Sequence, residues 1–517
     1  MDIVWYCICA ATLTAFLVMN ARKALHMFQL NSYKPATHLR WLKRNLTCLI
    51  PGVVVAVAAV VAVFLSAATG AAVLAAVSAC ACVAVWPKKA KKPLVYTQRV
   101  IRQIITLAVL VALAAVCAWL TGDWFIVASV VAAVSPLLIL AVFYINKPVE
   151  NAINRWFIND AKRILKSCPD LKVIGVTGSY GKTSVKFILK TLLAAKYNVL
   201  ATPESYNTPM GVVITVRNFL RPTHEVFVCE MGARHVGDIK ELCDIVHPQN
   251  GIITSVGPQH LETFHSLDNV KKTKFELADA LPEEGVVFLN GEDANIEAHR
   301  SNVKGKAISY GLSDKCDYYA TDISASSRGT SFTVHTPKGE TETFTAAMIG
   351  KHNVINILGG IAVACEMGIR LAALKPQVRK LESVSHRLQL LPKGNGVTVI
   401  DDAYNANPAG TKAAIDALAL FDGFKVLVTP GMVELGDKQD ELNKEFGAYA
   451  AKVCDYVILV GKKQAVPIRE GLLEAGYPED KIYVAEALGD AITRAYGVSA
   501  GGREKVILLE NDLPDNF

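Results

Sequence analysis

Between Cys48 and Trp86 the chain runs for 39 residues without an Asp, Glu, Lys or Arg. One bilayer crossing takes about 20 residues, so the run is too long for a single span and suits two. The stretch SAATG, Ser66–Gly70, supplies a turn between them. Ile3–Met19 is a further apolar run, and Ile104–Leu120 and Trp124–Ile145 form a second close pair joined by TGD. The expectation is a bundle of about five transmembrane helices over residues 1–145. An acid, Asp2, precedes the first run where a signal peptide has a basic cluster, so it reads as an uncleaved helix.

The overall charge of +7 divides unevenly. Residues 1–145 carry twelve Lys or Arg against Asp2 and Asp123, a net of +10, which leaves about −3 for residues 146–517. The basic surplus belongs to the membrane part, and nucleic-acid binding is not expected. The segments Ala21–Leu46 and Pro87–Gln103 each hold six Lys or Arg and no acid, which makes them cytoplasmic loops. Five crossings then put the N-terminus outside and everything after Asn146 in the cytoplasm. No charged residue falls inside an expected span, which argues against an ion or proton pathway. Five helices exceed what an anchor requires, so a plain anchor and a role toward lipid substrates or partners both stay open. The twelve cysteines contain no C-x-x-C pair and read as small apolar residues.

The segment LKVIGVTGSYGKTSVKFILKTLL, Leu171–Leu193, is a short β-branched run, a glycine turn and an amphipathic helix. Gly178 and Gly181 permit a tight loop whose backbone N–H groups face an anion at the helix N-terminus. Lys182 reaches toward β/γ-phosphates and Thr183 toward Mg²⁺. The strict phosphate-loop spacing is broken, because Val176 stands where its first glycine belongs. A second apolar strand, in HEVFVCEMGARHVGDI, ends in Glu230, a carboxylate suited to Mg²⁺. A third delivers His260 and Glu262, and a helix with Lys271, Lys272 and Lys274 follows. From Gly396 onward, strand runs such as GVTVIDD, KVLVTPG, YVILVG and KVILLEND alternate with helical patterns, which implies a doubly wound parallel sheet.

TGSYGKTS, EMGARHVGDI, PQHLETF, KTKFE, GKHNVINILGGIAVA, SHRLQLL and DDAYNANPAG, in that order, resemble the Mur ligase family. DDAYNANP and GMVELG are most like the members that add D-Ala-D-Ala to UDP-MurNAc-tripeptide. The resemblance spans roughly residues 165–510, and Thr177–Thr183 fits the family's T-G-x-x-G-K-T loop, so Val176 is no defect. After the transmembrane domain expected over 1–145, it implies an α/β chain with a central ATP-binding domain (146–385) and a Rossmann-like C-terminal domain (386–517). It further implies an ATP-dependent amide ligase of peptidoglycan or envelope synthesis. A carboxylate becomes an acyl phosphate, and the amine of an amino acid or dipeptide attacks it.

Carried over residue by residue, Gly178, Ser179, Tyr180, Gly181, Lys182, Thr183 and Ser184 hold the nucleotide. Thr183 and Glu230 hold one Mg²⁺. His260 and Lys274, the latter matching a lysine carbamoylated in several members, serve a second metal. Asn356 contacts the nucleotide, Arg387 the γ-phosphate and Asp402 the ribose. Asn207 and Thr208, in SYNTPMG, lie where the acceptor is met. Read without the resemblance, Asn356 serves equally as a helix cap and Arg387 as a linker charge.

Two departures stand out. The cell-wall ligases begin with a UDP-gripping domain; here membrane helices fill that position, and little more than twenty residues separate Ile145 from the catalytic strand. The implied carboxylate substrate is therefore one presented at the membrane, such as a lipid-linked acceptor. The chain also ends VILLENDLPDNF where the dipeptide-adding members have a basic Lys-Gly-Ser-Arg-like signature. Glu510, Asp512 and Asp515 either greet an ammonium group or form an acidic surface tail. Two other readings remain: a polymer-forming ligase like the poly-γ-glutamate synthetases, and a non-catalytic ATP-binding membrane scaffold.

Overall fold

The computed structural model describes residues 2–86, 93–122, 124–326, 329–382, 386, 388–392, 396–403, 406–419, 421–433, 435–461 and 465–511. It divides into two compact units, Met1–Trp156 and Phe157–Phe517.

The first unit is helical: α1 Asp2–Leu30, α2 Pro35–Arg44, α3 Ile50–Val63, α4 Ala67–Ala84, α5 Gln98–Thr121 and α6 Trp124–Lys166, which runs on into the second unit. Four stretches, Ile3–Leu30, Leu46–Val63, Ala67–Ala84 and Gln98–Thr121, are long and apolar enough to cross a membrane. The fifth expected span, Trp124–Ile145, is the first half of α6, where several side chains between 126 and 136 lie outside the described residues. Small residues let the helices approach closely. A Cβ on Gly70 would lie 2.6 Å from the Ala62 carbonyl oxygen, and Ala58, Ala59, Ala71 and Ala75 fill the same seam. The outward side of α3 is also apolar, with Val53, Val57 and Val60 about half exposed.

The segment Ala21–Leu46 is not the open loop expected from sequence. Residues 20–30 contain neither Gly nor Pro, so α1 continues past Met19 and carries Arg22 and Lys23 on its last turns. It stops at Ser32 and Tyr33, both in the left-handed region at φ 54° and 56°. Pro35 then opens α2, a position where its missing N–H costs nothing.

The second unit is built on two sheets. The first orders its strands β2-β3-β1-β4-β5-β6-β7-β8-β9: β1 Lys172–Thr177, β2 Val199–Ala201, β3 Val226–Glu230, β4 Asn250–Ile253, β5 Val286–Asn290, β6 Lys306–Gly311, β7 Tyr318–Ser326, β8 Gly329–His335 and β9 Thr341–Ala346. Pairing is parallel from β2 to β7 and antiparallel from β7 to β9. The connecting helices are α7 Lys182–Leu193, α8 Pro209–Phe219, α9 Asp238–Val246, α10 Leu261–Phe264, α11 Leu267–Asp279, α12 Ala294–Glu297 and α13 Lys351–Glu366, with α14 Lys375–Arg379 beyond. One core packs α7 and α13 on a face; the other packs α8, α9, α11 and Ala161 of α6 on the opposite face. The strands read as continuous apolar runs because both faces are covered.

The second sheet orders β10-β11-β15-β12-β13-β14: β10 Gln389–Pro392, β11 Val397–Asp402, β12 Phe424–Thr429, β13 Tyr456–Val460, β14 Ile482–Ala485 and β15 Lys505–Glu510. Only β10 is antiparallel. Helices α15 Pro408–Ala419, α16 Gln439–Ala450, α17 Ala465–Glu474 and α18 Leu488–Gly497 cover it. Both sheets are α/β and dominated by parallel strands, as the alternating pattern required. In the first, β1 lies between β3 and β4, so the loop after β1 opens at a reversal of strand order, the usual place for a ligand.

Candidate active site

Four residues, Gly178–Gly181, join β1 to α7. Gly178 has φ 149°, and a Cβ there would fall 2.1 Å from Thr254 Oγ1. Gly181 has φ 81°, and a Cβ would come within 3.0 Å of Asn356 Oδ1. Only glycine makes both approaches, and the second places Asn356 of α13 directly against the loop. The loop is pinned by the segment after β4. Ser255 O accepts from Ser179 N at 2.8 Å, and Ser255 Oγ accepts from Tyr180 N at 2.7 Å. Ser179 Oγ bridges to Gly257, donating to its carbonyl at 3.1 Å and accepting from its N–H at 3.0 Å. Thr254 Oγ1 donates to the Tyr180 carbonyl. The Tyr180 ring packs on Gly257; its hydroxyl has no hydrogen bond among the described residues, and burial pushes the phenol pKa up. Lys182 Nζ folds back over the loop, donating to Gly178 O at 2.6 Å and Ser179 O at 3.1 Å. Ser184 is buried in the first turn of α7.

Beside the loop stands Glu230, the last residue of β3, paired in register with Val176 of β1 and 1% exposed. Its Oε1 accepts from Thr183 Oγ1 at 3.2 Å and from Asn207 Nδ2 at 3.1 Å. Its Oε2 lies 3.0 Å from the buried Lys186 Nζ, without the alignment of a hydrogen bond. Burial pushes the Glu230 carboxyl up, but the charges of Lys186 and Lys182 and the Asn207 amide more than offset it. The group is held below its ordinary pKa and stays ionised. Lys186 in turn donates to the Glu204 carbonyl.

Sequence reasoning did not single out Lys186. Its signal was present, since it lies one turn after Lys182 beside Val185, Ile188 and Leu189, on the face α7 buries. A lysine there is buried and needs an acid. Asn207, expected where the acceptor is met, bonds Glu230. Thr208 caps α8, accepting from Gly211 N at 3.3 Å.

His260 precedes α10 in the left-handed region, at φ 54°. Lys274 is 2% exposed on α11 with its ammonium 5.9 Å from the Phe264 ring centre. Burial, then the charge of Lys182, drives its pKa well below the ordinary lysine value. Among the described residues no three His, Cys, Asp or Glu side chains gather as metal ligands, so Glu230 and His260 are not part of one such cluster. Asp402 ends β11, and its Oδ1 accepts from Leu388 N at 3.1 Å. Arg387, Asp512 and Asp515 lie outside the described residues. Glu510 is no surface tail. It ends β15 with 1% exposure, pairs in register with Asp402, and accepts from Thr429 Oγ1 at 2.9 Å.

Two family models match the chain: the Mur ligase middle domain over residues 176–364 and the Mur ligase glutamate ligase domain over residues 386–509. Residues 176–509 place the chain in the Mur ligase family. The chain is 34% identical over 307 residues to the UDP-N-acetylmuramoyl-tripeptide–D-alanyl-D-alanine ligase of Bacillus subtilis, a match covering 59% of this chain and 65% of that protein. It is 34% identical over 296 residues to the Escherichia coli enzyme of the same name, covering 56% of this chain and 65% of that protein. The chain thus spans about 65% of the length of these curated relatives. Among solved structures it superposes on MurF from Acinetobacter baumannii with TM-score 0.64 at 26% identity, covering 69% of this chain and 77% of that one. MurF from Thermotoga maritima in complex with ADP gives TM-score 0.62 at 25% identity, covering 69% and 80%.

In this Mur ligase chain the donors around Glu230 fit a hard divalent cation. A hydroxyl and an ionised carboxylate share one corner, and Oε2, 3.0 Å from Lys186 Nζ, has no aligned hydrogen bond among the described residues. The N–H groups that open α7, the positive end of that helix and Lys182 form the complementary cradle for a polyphosphate.

Proposed function

We propose that this chain is a membrane-bound, ATP-dependent acid–amino-acid ligase of peptidoglycan or envelope synthesis. The observation that carries the reading is the Thr183–Glu230 pair, held ionised beside a glycine loop at the reversal of the first sheet. The names of the relatives, D-alanyl-D-alanine ligases, support it.

In this reading a substrate carboxylate oxygen attacks the γ-phosphorus of ATP, and ADP leaves. The amine then adds to the acyl phosphate, loses its proton, and expels inorganic phosphate as the amide forms. Lys182, released from the Gly178 and Ser179 carbonyls, pairs with the transferred phosphoryl oxygens. Thr183 and Glu230 would hold a Mg²⁺ ion, which would supply charge neutralisation on the phosphates. Lys186 keeps Glu230 ionised. Asn356 flanks the nucleotide, Arg387 reaches the γ-phosphate, Asp402 the ribose, and His260 belongs to a second metal site. Lys274 carries a carbamate there: a buried neutral amine adds to CO₂, an N–C bond forms, and a proton is lost.

The carboxylate substrate is presented at the cytoplasmic face of a bacterial membrane on a lipid-linked acceptor. The support is α6, which runs unbroken from Trp124 to Lys166 and leaves five residues before β1, no space for a UDP-gripping domain. The test is an assay in detergent comparing UDP-MurNAc-tripeptide with its lipid-linked counterpart, over a panel of amino acids and dipeptides. Turnover on the lipid-linked acceptor, lost in Lys182→Ala, is expected. Saturable, efficient turnover of the soluble UDP compound removes the lipid-linked acceptor. No amide from either removes the ligase.

A further inference from the structure

The last turns of α1 and the helix α2 enclose a cleft that the catalytic reading leaves unused. Its polar lining is Asn20, Lys23, His38 and Trp41, and its apolar wall includes Ala24 and Leu42. Every polar member carries an N–H donor, and no acid lines it. His38 is 1% exposed and stacks on Trp41 at 5.7 Å between ring centres. Its Nδ1 lies 3.3 Å from Asn31 Nδ2. An amide NH₂ only donates, so Nδ1 accepts and the ring hydrogen resides on Nε2. Burial lowers the His38 pKa, which keeps the ring neutral and the tautomer fixed. The cleft therefore combines one ammonium, the neutral donors of His38 and Trp41, and an apolar wall.

Its surroundings are those of a bilayer interface. Residues 21–46 hold six Lys or Arg and no acid. Leu39, Leu46 and Ile50 are 41%, 61% and 55% exposed beside exposed Lys43 and Arg44. A short basic helix with exposed apolar side chains, joining two apolar helices, belongs at headgroup depth.

We propose that the α1–α2 cleft seats the phosphate of an anionic membrane lipid. Lys23 supplies the opposite charge, His38 and Trp41 supply hydrogen bonds, and the wall at Ala24 and Leu42 meets the start of the acyl region. The inference goes beyond the ligase reading and rests only on the helices lying in a membrane.

The experiment is native mass spectrometry of the full chain released from detergent, with three probes: phosphatidylglycerol, a phosphate-free diglucosyl diacylglycerol and inorganic phosphate. Wild-type protein is expected to retain one phosphatidylglycerol in preference to the glycolipid. Lys23→Gln is expected to weaken that retention about tenfold, the value of one charge-assisted hydrogen bond. Lys43→Gln, a change at an exposed neighbour, leaves it intact. Equal retention in the two variants, or equal retention of the glycolipid, overturns the proposal. Displacement by inorganic phosphate at equal concentration assigns the cleft to a free anion and overturns the lipid. A chain that is monodisperse without detergent removes the membrane reading itself, a result distinct from loss of headgroup preference.

Discussion

Glu230 shows how a single carboxylate can be prepared for a cation. It is buried, which by itself disfavours its charge, and two lysines reverse that balance. One of them, Lys182, also helps depress the neighbouring Lys274. Lys186 is paired with a carboxylate, whereas Lys274 has none within ion-pair distance among the described residues. If Lys274 carries a carbamate, full-length protein in ¹³C-bicarbonate shows a labelled carbonyl resonance that Lys274→Ala lacks. Identical spectra refute it.

Glu510 is the opposite case. Burial, then the Asp402 charge, pushes its carboxyl up to about 8, against an ordinary 4.5, with the Thr429 hydrogen bond pulling the other way. A raised acid binds its proton in the fold after the unfolded chain has lost it. Its ionisation therefore costs stability progressively as pH climbs from the ordinary value to the folded one, and the penalty is constant above that. Glu510→Gln removes the penalty. Relative to this variant, the wild type is expected to lose on the order of 3 kcal/mol between about pH 5 and about pH 8. Denaturant unfolding of the catalytic unit at the two pH values measures it, and a difference that does not change with pH contradicts it.

At the scale of elements, seven of the parallel strands were legible because burial on both faces removes polar alternation. β1, β3, β4, β11, β12, β13 and β15 all stand where apolar runs marked them. The antiparallel strands β7–β9 were not read, because half-buried runs rich in Thr and Ser resemble loops. Nor were β2, β5, β6 and β10, or β14, a four-residue edge strand with one buried side chain. The order of motifs carried Lys182, Thr183 and Glu230 to one corner. Lys186 escaped because it belongs to no motif, and only its place on a buried helix face betrays it.

The helix α13 owes its approach to α7 to glycine. A Cβ on Gly360 would lie 2.6 Å from Ile188 Cγ2, and one on Gly359 would lie 2.8 Å from the Tyr310 ring. A branched side chain in a close-packed core cannot retreat. Gly360→Ala is therefore expected to destabilise the catalytic unit by roughly 1–3 kcal/mol and to weaken nucleotide binding, because α13 also carries Asn356. Differential scanning fluorimetry with and without ADP checks both effects. An unchanged melting temperature contradicts the packing.

At the scale of the whole molecule, the charge asymmetry bears on the proposed topology. In that reading the basic residues of 21–46 and 87–103 lie on one side of the membrane. The α5–α6 turn at Gly122 then lies on the other, provided α6 crosses back. An alkaline phosphatase fusion after Gly122 is expected to be active, and one after Lys34 inactive. The reverse pattern, or activity at both positions, refutes the orientation and with it a cytoplasmic catalytic unit.

The central claim is that the loop of Lys182 and the carboxylate of Glu230 make an acyl phosphate. Hydroxylamine intercepts such an intermediate whatever amine the protein normally uses. Full-length protein in detergent, given ATP, magnesium and a membrane extract as acceptor, is expected to form a hydroxamate in step with phosphate release. Lys182→Ala is expected to form none. Phosphate release without hydroxamate, in the presence of acceptor, contradicts carboxylate activation and leaves an ATPase in its place.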